Sequence, residues 1–188
     1  MFDRSAASSV PMSIRQHAVI PTATDGNRAV LIMPQLKNLY RMNSGTLAAG
    51  VPTWGTTHNS TYYTELLANF DSFRVVSLGV RAYTIANATT ASGTAGAALI
   101  GDGGADPAVD VLSDAFLEVK RDAIPGMDIC AVAKPLDHYT GYRPVNETEG
   151  SGMTPIVIFI TGAPVSTDML SIEIYLNIEL IPKMNTFM

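Results

Sequence analysis

Hydrophobic and polar positions alternate along much of the chain. From Leu170 to Ile181 the apolar set Leu170, Ile172, Ile174, Leu176, Ile178 and Leu180 interleaves with Ser171, Glu173, Tyr175, Asn177, Glu179 and Ile181. That is the period of a strand with one buried face. Arg74 to Ile85 repeats it, with Val76, Leu78, Val80 and Ala82 set against Arg81 and Tyr83. Pro155 to Thr161 does not alternate; its unbroken apolar run is too short for a helix and predicts a buried central strand. Further strands are predicted at Ile14 to Ile20, Arg28 to Met33, Thr94 to Ile100 and Met127 to Lys134. Asp25-Gly26 is read as the turn of a hairpin joining the first two. Thr61 to Phe73 is the helix candidate: Tyr62, Leu66, Leu67, Phe70 and Phe73 recur at three- and four-residue spacing, and Ser60 or Thr61 with Glu65 offers a capping pair. Lys37 to Ser60, rich in Gly and Pro, is predicted to be a long loop.

With Asp137 to Gly152 read as a polar loop or broken strand, the total is about eight strands and one short helix, the inventory of an all-β, eight-stranded jelly-roll sandwich. Residues 1–13 read as an N-terminal arm and 14–188 as a single domain. The expected core is anchored by Phe70, Phe73 and Val76 where helix meets sheet, and by Ile172, Ile174 and Ile178 in the last strand.

Composition sharpens this picture. The 188 residues are 47% hydrophobic but only 15% charged, against roughly 25% charged in an average soluble domain. Mean hydropathy is +0.19. So little polar side chain suits a subunit that covers much of its exterior with copies of itself. A single cysteine, Cys130, excludes an intrachain disulfide. The longest apolar run falls far short of the ~20 residues of a membrane-spanning helix, and the N-terminus lacks the order of a secretion signal, so a soluble protein with no membrane partner is expected. Charge is uneven. Residues 1–42 carry Arg4, Arg15, Arg28, Lys37 and Arg41 against Asp3 and Asp25, a surplus of three, which leaves −8 on the remainder of a chain whose net charge is −5. Dense phosphate contact is excluded by an acidic body. Nucleic acid is therefore expected to bind weakly, through Arg4, Arg15 and Lys37.

No motif for catalysis emerges. Gly101-Asp102-Gly103-Gly104 follows a strand, but lacks the third spaced glycine and the amphipathic helix of a dinucleotide site. His17, His58 and His138 stand apart from one another. No serine lies in a Gly-x-Ser-x-Gly turn, and Cys130, between Ile129 and Ala131, is read as an inert core thiol. Residues 102–128 hold seven of the seventeen carboxylates, opposed by Lys120 and Arg121. Asp102, Asp106 and Asp110 are candidates for an intersubunit Ca2+ site, since that ion takes oxygen ligands; the bland reading is a solvated loop. Trp54, Tyr139 and Tyr142 are candidates to stack a sugar or a base, or to anchor contacts between proteins.

Phe70-Asp-Ser-Phe-Arg-Val-Val-Ser-Leu-Gly-Val-Arg81, a helix end running into a strand, resembles the matching segment of the jelly-roll coat (capsid) proteins of small icosahedral RNA viruses, the nodavirus and tombusvirus-like group. Ser92-Gly93-Thr94, Ala133-Lys134-Pro135-Leu136-Asp137, and Ile156 to Pro182 with its Gly162-Ala163-Pro164 follow in the same order, so the resemblance spans residues 70–182. It implies a shell domain of two facing four-stranded sheets that self-assembles around a viral genome, resides in the virion and meets a host receptor the sequence does not identify. The chain departs from that family in lacking a strongly basic arm and in having little sequence after Pro182. Small residues Ala95, Gly96, Ala97 and Ala98 are expected to allow close backbone approach. A jelly-roll carbohydrate-binding, lectin-like module is the alternative reading.

Overall fold

In the computed structural model, residues 9–100, 110–113, 117–133, 141–147 and 154–183 are described. Their strands are β1 (Val10–Pro21), β2 (Arg28–Ile32), β3 (Tyr40–Asn43), β4 (Trp54–His58), β5 (Phe70–Thr84), β6 (Thr94–Leu99), β7 (Leu117–Asp122), β8 (Asp128–Ala133), β9 (Arg143–Pro144), β10 (Ile156–Thr161) and β11 (Asp168–Pro182). One α-helix, α1 (Tyr63–Asn69), lies between β4 and β5. The first sheet has the order β1-β11-β5-β8, with β9 added beside β5. The second has the order β4-β3-β2-β10-β6-β7. Removing β3, β4 and β9 leaves two four-stranded antiparallel sheets packed face to face, the expected jelly roll.

β11 organises the first sheet. It pairs with β1 from Leu170 to Leu180 and with β5 from Leu170 to Pro182. Its apolar set points into the sandwich, where Ile172, Ile174, Leu176, Ile178 and Leu180 are buried beside Ile14, Leu78, Val80 and Ile129. The first strand starts at Val10 rather than Ile14, because the pairing with β11 continues to Leu180. Asp25-Gly26 does form a tight turn, with Gly26 at φ 74° and the Gly26 amide donating to Ala23 O. It joins no hairpin, however: β1 lies in the first sheet and β2 in the second, so the turn carries the chain across the sandwich.

The central strands of the second sheet, β2, β10 and β6, are buried on both faces, which explains the unbroken run in β10. Ile156, Ile158 and Ile160 face the main core, while Val157 and Phe159 face outward into a second cluster with Ala29, Leu31, Met33, Leu47, Ile100 and Val111. Chain that returns over this sheet supplies the cover. Leu47 comes from the β3–β4 connection, and Val111 is held there by its amide donating to Gly50 O. The small residues of β6 serve this packing inside the subunit. Ala95, Ala97 and Ala98 are fully buried, and the Phe159 ring lies over Gly96.

Several expectations change. Lys37 to Ser60 contains β3 and β4, strands of four and five residues, of which β4 is the sheet edge. The helix is shorter than Thr61 to Phe73, starts with Tyr62 as its cap residue without a side-chain cap, and buries only Leu66. Thr61 is drawn away by Gln16 Oε1, which accepts its amide at 2.9 Å. Val76 is not core: the register of β5 against β11 slips between Asn177 and Ile178, and Val76 bulges outward, 47% exposed. Phe73 is buried as expected, and Phe70 packs partly against the core.

A Cβ on Gly96 would stand 2.4 Å from Phe159 Cζ and 2.7 Å from Val119 O, so the backbone or the ring must move. Gly96→Ala is expected to cost about 1–3 kcal/mol by overpacking, several degrees of Tm for a domain of this size. Phe159→Leu in the same chain should restore part of that loss; thermal unfolding of the three variants measures both effects.

Candidate assembly and nucleic-acid surfaces

Alternation along the first sheet sends half of its side chains away from the core. The pairing register sets them in rows. Arg15, Tyr175, Gly79 and Val132 form one row; His17, Glu173, Arg81 and Cys130 the next; Val19, Ser171, Tyr83 and Asp128 a third. Nearer the other end stand Ser13, Asn177 and Ser77, then Glu179 with Arg74.

Ion pairs and stacked rings knit this face. The Arg15 guanidinium donates to Glu173 at 2.6 Å and lies 5.6 Å from the Tyr175 ring centre. Arg81 grips Asp128 through Nε and Nη2, at 3.1 and 2.8 Å, and lies 5.5 Å from the Tyr83 ring. Arg74 donates to Glu179 at 2.9 Å and lies 5.2 Å from Tyr142, whose hydroxyl also donates to Glu179. Each arginine is thus matched by one carboxylate and one tyrosine. Ser13 Oγ donates to Asn177 Oδ1, Asn177 Nδ2 to Ser77 Oγ, and His17 shares a hydrogen bond with Ser171.

These contacts move the acid–base equilibria. The Tyr175 hydroxyl, then the Arg15 guanidinium, hold the Glu173 carboxyl below its usual range. Hydrogen bonds from Arg81 do the same to Asp128. Tyr142 and then Arg74 do it to Glu179. Donating to Glu173 raises Tyr175 in turn, and the carboxylates raise Arg15 and Arg81.

The sequence candidates fall in different places. Arg15 stands on this face with its side chain 65% exposed. Lys37 lies in the connection between β2 and β3, in the other sheet, and is half-buried. Arg4 lies outside the described residues, as do Asp102, Asp106, Tyr139 and His138. Asp110 is drawn into a local turn: its Oδ1 accepts the Leu112 amide at 2.9 Å, and a Cβ on Gly50 would meet that same oxygen. Trp54 packs beside the second cluster at one end of the second sheet, whereas Tyr142 sits over Arg74 on the first; the two share no groove. His58 stacks on Tyr40 with ring centres 4.5 Å apart. Cys130 is a correction. It is exposed, because Ile129, Ala131 and Ala133 take the inward positions of β8.

Arg28, one of the five basic residues near the N-terminus, is spent on backbone. It donates to Pro21 O and Asn43 O, and burial lowers its pKa. Asp25 beside it works within its turn. Burial pushes its carboxyl up, but the amides of Asn27 and Leu47 and the Asn27 side chain outweigh that and leave it lowered. The residues that sequence reasoning passed over are Arg74, Gly79, Arg81, Tyr83 and Tyr175. Alternation had already set Arg81, Tyr83 and Tyr175 opposite the apolar face; what it lacked was the register that brings them together.

Because Glu173, Asp128 and Glu179 are depressed in the folded protein, the unfolded chain takes up protons first as pH falls through about 4.3 for Glu and 3.9 for Asp. The stability they contribute is present above that range and lost as pH drops through the lower folded values. Glu173→Gln should therefore flatten the fall of Tm between about pH 4.5 and 2.5, as read by calorimetry across that interval.

No family model matches the sequence, and no curated protein matches it. Solved structures do match the fold. A chain of tobacco necrosis virus superposes with a TM-score of 0.60 at 16% identity, over 94% of this chain and 97% of that one. A chain of Desmodium yellow mottle tymovirus gives 0.55 at 13% identity, over 100% and 97%. The BFDV capsid protein, crystallised as a 60-mer, gives 0.53 at 16% identity, over 95% and 96%. The chain therefore has the jelly-roll fold that these viral proteins share.

Proposed function

We propose that the protein is a viral coat subunit whose work is assembly: copies of it close into an icosahedral shell around a genome and make up the virion. The observation that carries this reading is the match along the whole length in both directions. A 60-mer capsid protein and this chain cover 96% and 95% of each other.

The physics of the subunit supports it. Four strands end the two sheets, β1 and β8 in the first, β4 and β7 in the second. Edges left open invite unlimited pairing, and closed symmetric assembly uses such surfaces while limiting growth. Exposed Ile85, Ile124 and Val165 add apolar contact area to a chain with few charges. The lectin-like alternative has no such support, since Trp54 and Tyr142 lie on different sheets.

Electron microscopy and sedimentation of the purified protein test the proposal. Uniform spherical particles with nuclease-protected contents are expected. Monomers or trimers alone, across a range of salt and pH, would overturn it.

A further inference from the structure

The two sheets treat their outward faces differently. On the second, Ala29, Leu31, Val157 and Phe159 are at most 1% exposed, sealed by the subunit's own returning chain. On the first, Arg15, Arg81, Val132 and Tyr175 are open to solvent. Each sheet also has an outward-facing glycine within a central strand. At Gly96 the Phe159 ring fills the space. At Gly79 no described residue fills the space: the nearest described atoms to a Cβ built there are Tyr175 Cβ and Val132 Cγ2, both at 3.9 Å, an ordinary contact distance. A glycine inside a strand marks a place where something approaches the backbone closely.

We propose that the open face of the first sheet is a platform for single-stranded nucleic acid, one base seating over Gly79 between Tyr175 and Val132 while its neighbours stack on the Arg–Tyr pairs. Tyr175 and Val132 stand on the strands flanking β5, with Tyr175 Cβ and Val132 Cγ2 each 3.9 Å from the Cβ position of residue 79 and so at most about 7.8 Å from each other, a gap one flat ring wide. Aromatic rings and guanidinium planes are the groups on which unpaired bases stack, whatever the sequence. Three Arg–Tyr pairs occupy this one face. Protein interfaces are enriched in Arg and Tyr but depleted of Asp and Glu, so it is Glu173, Glu179 and Asp128 across the face that disfavour a second copy as its occupant. Arg15, already a sequence candidate, stands in the same row as Gly79.

The charge balance sets the character of the binding. Arg15, Arg74 and Arg81 are each countered by a carboxylate, so affinity comes from stacking more than from phosphate neutralisation. With at most three arginines released to phosphate, log K should fall against log salt with a slope no steeper than about −2.

This inference rests on the coat-subunit reading, and its test is arranged so that each can fail alone. Binding of a fluorescein-labelled uridine 20-mer to the subunit is measured by anisotropy, with a 20-base-pair RNA duplex as control, and assembly is followed separately by microscopy. Gly79→Ala fills the slot without a clash, since its new methyl lands at ordinary contact distance. It should leave Tm unchanged or raised, while weakening binding about tenfold; Tyr175→Leu should weaken binding by a similar factor, at some cost in Tm from the lost hydrogen bond to Glu173. Ultraviolet crosslinks should fall on Tyr175 or Tyr83, and the duplex should bind at least about tenfold more weakly. Undetectable binding by the wild type, full affinity in a folded Gly79→Ala variant, or crosslinks confined to residues 1–8 or Lys37 would overturn the proposal. Variants that bind normally but no longer assemble would overturn it too, by making the face a contact between copies. Binding at the slot without particles would leave this inference standing and sink the coat-subunit reading.

Discussion

A β-sandwich has one core and four sheet faces, so two faces must be disposed of outside the core. That constraint shapes this molecule. The second sheet meets it by folding its own chain back: Leu47 from the β3–β4 connection and Val111 from the β6–β7 connection close over Leu31, Val157 and Phe159. The first sheet meets it with polar side chains, satisfied among themselves in rows across β1, β11, β5 and β8. Burying an apolar side chain contributes roughly 1.5–3 kcal/mol, whereas exposed ion pairs contribute on the order of 0–1. The covered sheet therefore holds more of the stability, and the open one is freer to accept substitution or a ligand.

This division decided what could be read from the sequence. A strand with one wet face alternates, and β11 was legible down to which residues point inward. A strand dry on both faces loses alternation, and β10 was legible as a buried run, though not what buried it. The missing strands fail for a common reason. β3 and β4 are four and five residues long, and β7 runs Leu-Glu-Val-Lys-Arg-Asp at a sheet edge, where charge blunts unwanted pairing. Little of their sequence is committed to the core, so pairing with distant partners makes them strands. Because β7 lies inside the acidic stretch, its charges drew attention to carboxylate chemistry instead.

Errors of single residues have a sharper cause. Val76 was assigned to the interior by the alternation of its strand and Cys130 by its apolar neighbours, and both face outward because the pairing sets the parity. A one-residue bulge in β5 reverses the parity on either side of Val76. In β8 the alternate positions Ile129, Ala131 and Ala133 already fill the inner layer. Asp25-Gly26 shows the complementary limit. Local chemistry determined the tight turn correctly, with Gly26 at positive φ. Which sheet the chain enters next is a global property, here reinforced by Ala163 N donating to Gly26 O and by the Thr22 hydroxyl donating to the β10–β11 turn.

Gly79 and Gly96 bring these threads together. Sequence gives no way to tell them apart, since both interrupt strands of good pattern and weaken them by losing a side chain to pack. In β6 the deficit is offset by Phe159, whose ring has nowhere else to go because the second sheet is covered. In β5 no described residue offsets it, although an alanine would fit without strain and reduce the freedom of the unfolded chain. A fold that leaves such a place unfilled forgoes stability there, in the row that also holds Arg15 and Tyr175. Stability alone would favour a side chain at residue 79, so the open slot points to a requirement from outside the subunit.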